Sequence, residues 1–155
     1  MLRNCGVLAV LMLAGATVAG ACSMPNAPST TEEKFARATA VLVARIVRTE
    51  EAAIALGDRT WSVVEGTFRT IEVLKGQAPQ DQKIRSLVYG PGNCTIPILA
   101  GWNYVLFLGP GGPFIDADDK NLIWWTNGSF PAPNLEAKDI EEELEKLREL
   151  SGSQK

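Results

Sequence analysis

Histidine is absent from all 155 residues. That absence excludes Ser-His-Asp and Cys-His catalysis, His-ligated zinc sites and HExxH proteolysis within this chain. No other nucleophile has a base beside it in sequence, and no carboxylate pair stands out as an acid/base couple, so an enzyme is not expected. Long apolar runs are missing too. The strongest, Val7 to Leu13, is far short of the ~20 residues that cross a bilayer as a helix. Basic runs are missing, and the formal net charge is −3. An acidic chain without a basic stripe argues against nucleic acid and anionic membrane as partners. There is no internal repeat and no low-complexity tract.

What is present begins with a processing signal. A short amino-terminal region with Arg3 precedes the apolar run, and Ala19-Gly20-Ala21 supplies small residues before Cys22. The small-x-small pattern predicts a signal peptide over residues 1–21, cut before Cys22. Removing those 21 residues from 155 leaves 134, enough for one domain over 22–150 with a short disordered tail at 151–155. Loss of Arg3 takes the net charge from −3 to −4. The expected location is secreted or periplasmic.

Cysteine usage sharpens this. Of three cysteines, Cys5 leaves with the signal, and the mature chain keeps Cys22 and Cys94. An even pair in an exported protein is most simply one disulfide. A bridge closing a loop of roughly 70 residues stabilises by about 4 kcal/mol in the chain-entropy view. A rival chemistry exists. Ala19-Gly20-Ala21-Cys22 also passes as a permissive lipobox, in which the thiol and the amine of Cys22 are acylated and the chain is a membrane-anchored lipoprotein. The two exclude each other, because an acylated sulfur cannot pair with Cys94.

Along the chain, Pro25 and Pro28 disfavour helix before Thr30. Thr30-x-x-Glu33 is a capping box for a short helix to about Arg37, with Phe35 and Ala38 inward. Ala40 to Val47 is rich in β-branched residues and apolar on both faces until Arg45 and Arg48. It predicts a first strand lined by core inside and covered by a helix outside. Glu50 to Asp58 is expected to be a connection or a single helical turn. Thr60 to Leu74 predicts a long second strand, kinked or bulged between Gly66 and Thr70 because Phe68 is out of phase with Ile71 and Val73. Lys83 to Tyr89 is a third strand with Ile84 and Val88 inward. Gly90-Pro91-Gly92-Asn93 is a turn delivering Cys94. Trp102 to Leu108 is a fourth strand and Leu122 to Thr126 a fifth. Asn134 is expected to cap an amphipathic helix whose face is Ile140, Leu144, Leu147 and Leu150. The fold class expected is mainly β: a five-stranded, closed barrel of the OB type with a short amino-terminal helix and a carboxy-terminal amphipathic helix.

The order of these features resembles a known family. A cysteine starts the mature chain, and a short helix with Phe35 precedes the first strand. Leu74-Lys75-Gly76 ends the second strand, Cys94 follows a Gly/Pro turn, and Gly101-x-x-Tyr104-x-x-Phe107 lies on the fourth strand. This is similar to the amino-terminal, netrin-like domain of the tissue inhibitors of metalloproteinases and its single-domain bacterial relatives, over roughly Cys22 to Thr126. The resemblance implies a disulfide between Cys22 and Cys94. It implies that the α-amine and carbonyl of Cys22 chelate a partner protease's catalytic zinc while Ser23 enters the specificity pocket, with Met24 next to it on the partner-binding ridge. An α-amine with a pKa of about 8 is partly neutral at physiological pH and serves as a nitrogen ligand. Departures are plain: Met24 stands where animal inhibitors carry a second cysteine, and Ala36 follows Phe35 where another is found. No cofactor or intrinsic metal is implied. The expected partner is a zinc metalloprotease or another exported protein; the alternative function is a non-inhibitory cell-envelope interaction domain.

Several other features have plainer explanations. Asp116, Asp118 and Asp119 begin like a calcium loop, but Asn121 occupies the position that needs glycine, and a solvated turn fits better. Trp124 and Trp125 are adjacent in a strand, so at most one is exposed. Trp61, Trp102 and Tyr104 suit core or rim packing. Asn93-Cys94-Thr95 and Asn127-Gly128-Ser129 match the glycosylation acceptor pattern, which matters only in a eukaryotic secretory pathway. Glu65, Arg69 and Glu72 are mid-strand charges that suit cross-strand ion pairs.

Overall fold

Residues 40–46 are buried almost without interruption, and they form the centre of the sheet. In the computed structural model, residues 30–56, 58–88, 95–109, 121–123 and 127–153 are described. Helix α1 spans Thr31–Arg37, strand β1 Ala40–Leu56, β2 Arg59–Lys75, β3 Lys83–Leu87, β4 Asn103–Leu108 and β5 Phe130–Pro131, and helix α2 Lys138–Gly152. All strand pairs are antiparallel, in the order β3-β2-β1-β4-β5. The fold is therefore mainly β with two helices. Among the described residues no ladder joins the outer strands β3 and β5, and the sheet is open.

Alternation along β1 and β4 sorts the core onto two faces. Leu42, Ala44, Ile46, Tyr104 and Leu106 point to an inner face, where Phe68, Ile84, Ile96, Ile98 and Ile123 close over them. Val41, Val43, Val105 and Phe107 point to an outer face covered by Phe35 of α1 and by Leu144 and Leu147 of α2. The doubly apolar reading of Ala40 to Val47 is explained by this sandwiching. Thr30 caps α1, its hydroxyl accepting from the Glu33 amide at 3.2 Å. Lys75, at the end of β2, donates to the carbonyls of Phe35 and Ala36, the exposed last turn of α1. Among the described residues no helix is long and apolar enough to cross a membrane.

The out-of-phase β2 is resolved by bulges. Pairing passes from Ile46–Phe68 to Arg48–Thr67, leaving Val47 extra on β1, and from Val43–Glu72 to Ala44–Thr70, leaving Ile71 extra on β2. A third shift leaves Leu74 extra, turning it onto the helix face. Gly66 does not break the strand. A Cβ there would stand 2.7 Å from Cγ2 of Ile98, so the glycine admits the segment that covers the inner face.

Other expectations are corrected. Glu50 to Leu56 is neither a connection nor a helical turn but the outer half of β1, paired without a shift from Thr49–Gly66 to Leu56–Arg59. Cross-strand pairing with the β-branched run of β2 overrides the helical propensity of Glu and Ala. Val88 is 47% exposed rather than inward, because β3 ends at Leu87. Within the expected fifth strand, Leu122 makes an isolated parallel bridge to Arg85; the partner of β4 is Phe130–Pro131. Asn134 caps a turn before α2, its Oδ1 accepting from the Glu136 amide, while Ala137 occupies the helix cap without a side-chain bond. Cys22, Ser23, Met24, Asn93, Cys94, Asp116, Asp118, Asp119 and Trp124–Trp125 lie outside the described residues.

Candidate functional site

Immediately after Cys94, Thr95 and Ile96 are buried, and Ile98 packs with Ile96 in the inner core. Tyr104, fully buried on β4, fixes this segment from below. Its hydroxyl donates to the Pro97 carbonyl at 2.9 Å and accepts from the Leu99 amide at 3.0 Å. Burial pushes the phenol above its ordinary range, the Leu99 amide opposing this only in part. The segment leaving Cys94 is thus held by two apolar anchors and a two-way hydrogen bond. At the other end, the chain from Cys22 enters the described structure at Thr30, the cap of α1.

Both helices are tied down by charge. Thr31 donates to Glu143 at 2.8 Å, and Lys146 pairs with Glu32 at 2.9 Å, joining α1 to α2. The Lys146 hydrogen bond holds the Glu32 carboxyl down to about 2. Arg148 grips Glu72 through two bonds of 3.0 and 2.8 Å, fastening α2 to β2. That grip, partly offset by burial, lowers the Glu72 carboxyl.

Between the first turns of the helices lies a cavity of about 340 Å³, with Lys34, Asp139 and Glu143 at its rim and Ser129 at its floor. Ser129 is not a nucleophile in waiting. Its hydroxyl accepts from the Phe107 amide at 2.9 Å and faces the Phe107 carbonyl at 3.3 Å, completing the β4 edge where β5 has ended. The serine of the Asn127-Gly128-Ser129 sequence is therefore a structural cap.

The mid-strand charges divide. Glu65 does form the expected cross-strand pairs, to Lys83 and to Arg85, the latter at 2.8 Å. The Lys83 hydrogen bond lowers the Glu65 carboxyl against the opposing effect of burial, and Arg85 adds to it. Glu72 pairs with a helix instead. Arg69 faces Arg45. Sequence reasoning missed this charged face, because its members come from alternate positions of separate strands and never form a run. Among the described residues no group of three or more Cys, Asp or Glu is placed to hold a metal ion. No protein-family model and no curated protein matches the chain.

Proposed function

We propose that this chain is an exported protein-binding module resembling the netrin-like metalloprotease inhibitors, with Cys22 as its contact residue. In this reading Cys22 is bridged to Cys94, and its α-amine and carbonyl chelate the catalytic zinc of a partner protease. Ser23 then enters the specificity pocket, and Met24 continues the ridge. The zinc belongs to the partner. In this reading the open sheet, with its three bulges and the inner cluster of Leu42, Ile46, Tyr104 and Ile98, corresponds to the OB-type barrel of that family.

The observation that supports this most directly is the clamp on the segment after Cys94. A chelating terminus needs rigidity, because each freely rotating bond adds an ordering cost on binding. Tyr104, Ile96 and Ile98 make the residues following Cys94 a fixed anchor, so a disulfide there would hand that rigidity to Cys22. Order along the chain also agrees with the resemblance: α1 before β1, β2 ending at Lys75, Cys94 between β3 and β4, and Tyr104 and Phe107 on β4.

Addition of one alanine before Cys22 tests the mechanism. The amine leaves chelate range while sheet and bridge are untouched, so inhibition of zinc endopeptidases should vanish. Inhibition by the wild type should also weaken below neutral pH, as protons compete for the amine. Full inhibition by the extended protein rejects chelation. Absence of inhibition by correctly processed wild type favours the envelope-domain alternative.

A further inference from the structure

The outer face of the sheet carries a band of charge beyond the edge of the two helices. Arg45 shares that face with Val41 and Val43, and Asn103 shares it with Val105 and Phe107. Arg69, Thr67 and Glu65 alternate with the inward Phe68. The bulge at Val47 returns Arg48 and Glu50 to the same side. The register then lays three rows across the sheet: Asn103–Arg45–Arg69, Arg48–Thr67–Lys83 and Glu50–Glu65–Arg85. Five cations stand here against two carboxylates, in a chain whose net charge is −3.

The carboxylates are already engaged. Glu50 pairs with Arg48 at 3.0 Å, and Glu65 takes Lys83 and Arg85. Arg45 and Arg69 remain. Both are exposed, they face each other directly, and among the described residues neither side chain makes an ion pair or hydrogen bond. Like charges directly opposite across strands oppose pairing, so this arrangement does nothing for the fold. The third member of the row adds to the anomaly. Asn103 is only 9% exposed, its Oδ1 is buried without a partner, and its Nδ2 reaches only the Pro133 carbonyl at a long 3.4 Å.

We propose that the facing pair of Arg69 and Arg45 docks an acidic segment of a protein partner, whose carboxylates sit on the two guanidinium groups. An exposed apolar side chain adjoins the row. Val47, the extra residue of the β1 bulge next to Arg48, is 54% exposed. Arginine is one of the residues in which protein interfaces concentrate their binding energy. Two free bases are too few to hold a chain on an anionic membrane by charge alone. The face does not involve Cys22, so it stands whether or not chelation does.

Fluorescein-labelled decaglutamate is the probe, titrated with the mature protein by fluorescence anisotropy. Binding is expected at about 50 mM salt and should weaken several-fold by about 300 mM. R45E and R69E should each lower affinity about tenfold. Their melting temperatures should hold or rise, because opposite charges then face across the strands. R59E changes net charge equally at the exposed hairpin tip and should leave affinity within about twofold. R45Q and R69Q, which remove charge without reversing it, should keep the same order. No binding of decaglutamate at low salt overturns the proposal, as does an equal loss in R59E. Binding to phosphatidylglycerol vesicles without binding to decaglutamate overturns it in favour of a membrane surface.

Discussion

The hydroxyl of Tyr104 lies 2.9 Å from the carbonyl of Pro97, and that bond joins the centre of the sheet to the segment that begins at Cys94. The same oxygen receives the Leu99 amide, so one buried side chain fixes a turn from both sides. Y104F keeps the ring and removes both bonds. It should cost about 1–2 kcal/mol, because the Pro97 carbonyl and the Leu99 amide each lose a part-buried hydrogen bond. Chemical denaturation checks this; a loss under about 0.5 kcal/mol would mean that the clamp does not hold the segment.

Gly66 offers a second test of the same packing. G66A drives a methyl to 2.7 Å from Ile98 and should destabilise by about 1–3 kcal/mol through overpacking. I98A in the same chain removes the Cγ2 methyl that the new Cβ would meet, so the pair should be clearly non-additive. Additive effects in thermal melts would show that Ile98 and Gly66 do not meet.

Acid should loosen the molecule through Glu65. Its carboxyl is held below the ordinary 4.5 by the Lys83 hydrogen bond and by Arg85. A depressed carboxylate contributes stability that is complete above the unfolded-state value and is lost as pH falls through the folded-state value. The loss from this site therefore sets in below about pH 4.5. E65Q should lower stability near neutral pH by about 1–3 kcal/mol and flatten the acid limb. An acid limb of unchanged slope would remove Glu65 as its source.

Much of this architecture is legible in the chain. Phe35 and Ala38, the doubly apolar Ala40 to Val47, and the Ile140, Leu144, Leu147 face of α2 all pack as their spacing requires. Phe68 being out of phase with Ile71 and Val73 locates a real bulge, although only pairing partners reveal which residues are extra. Glu50 to Leu56 misleads because local propensity is helical, and strand pairing with Arg59 to Gly66 is a non-local fact. Asn134 is a good capping residue used one turn early, and Ala137 occupies the helix cap without a side-chain bond. The Arg45–Arg69–Asn103 row was illegible for a simpler reason: its three members are contiguous only across strands. The residues proposed to meet a partner at the terminus, Cys22, Ser23 and Met24, are known from the sequence pattern and its resemblance.

The most direct test of the account is the intact mass of the mature protein purified from a secreting host. A bridged terminus requires a chain starting at Cys22 that weighs two hydrogen atoms less than the unmodified sequence, and regains them on reduction. A mass raised by three acyl chains would contradict it, since neither the sulfur nor the amine of Cys22 would then be free for the bridge and the zinc.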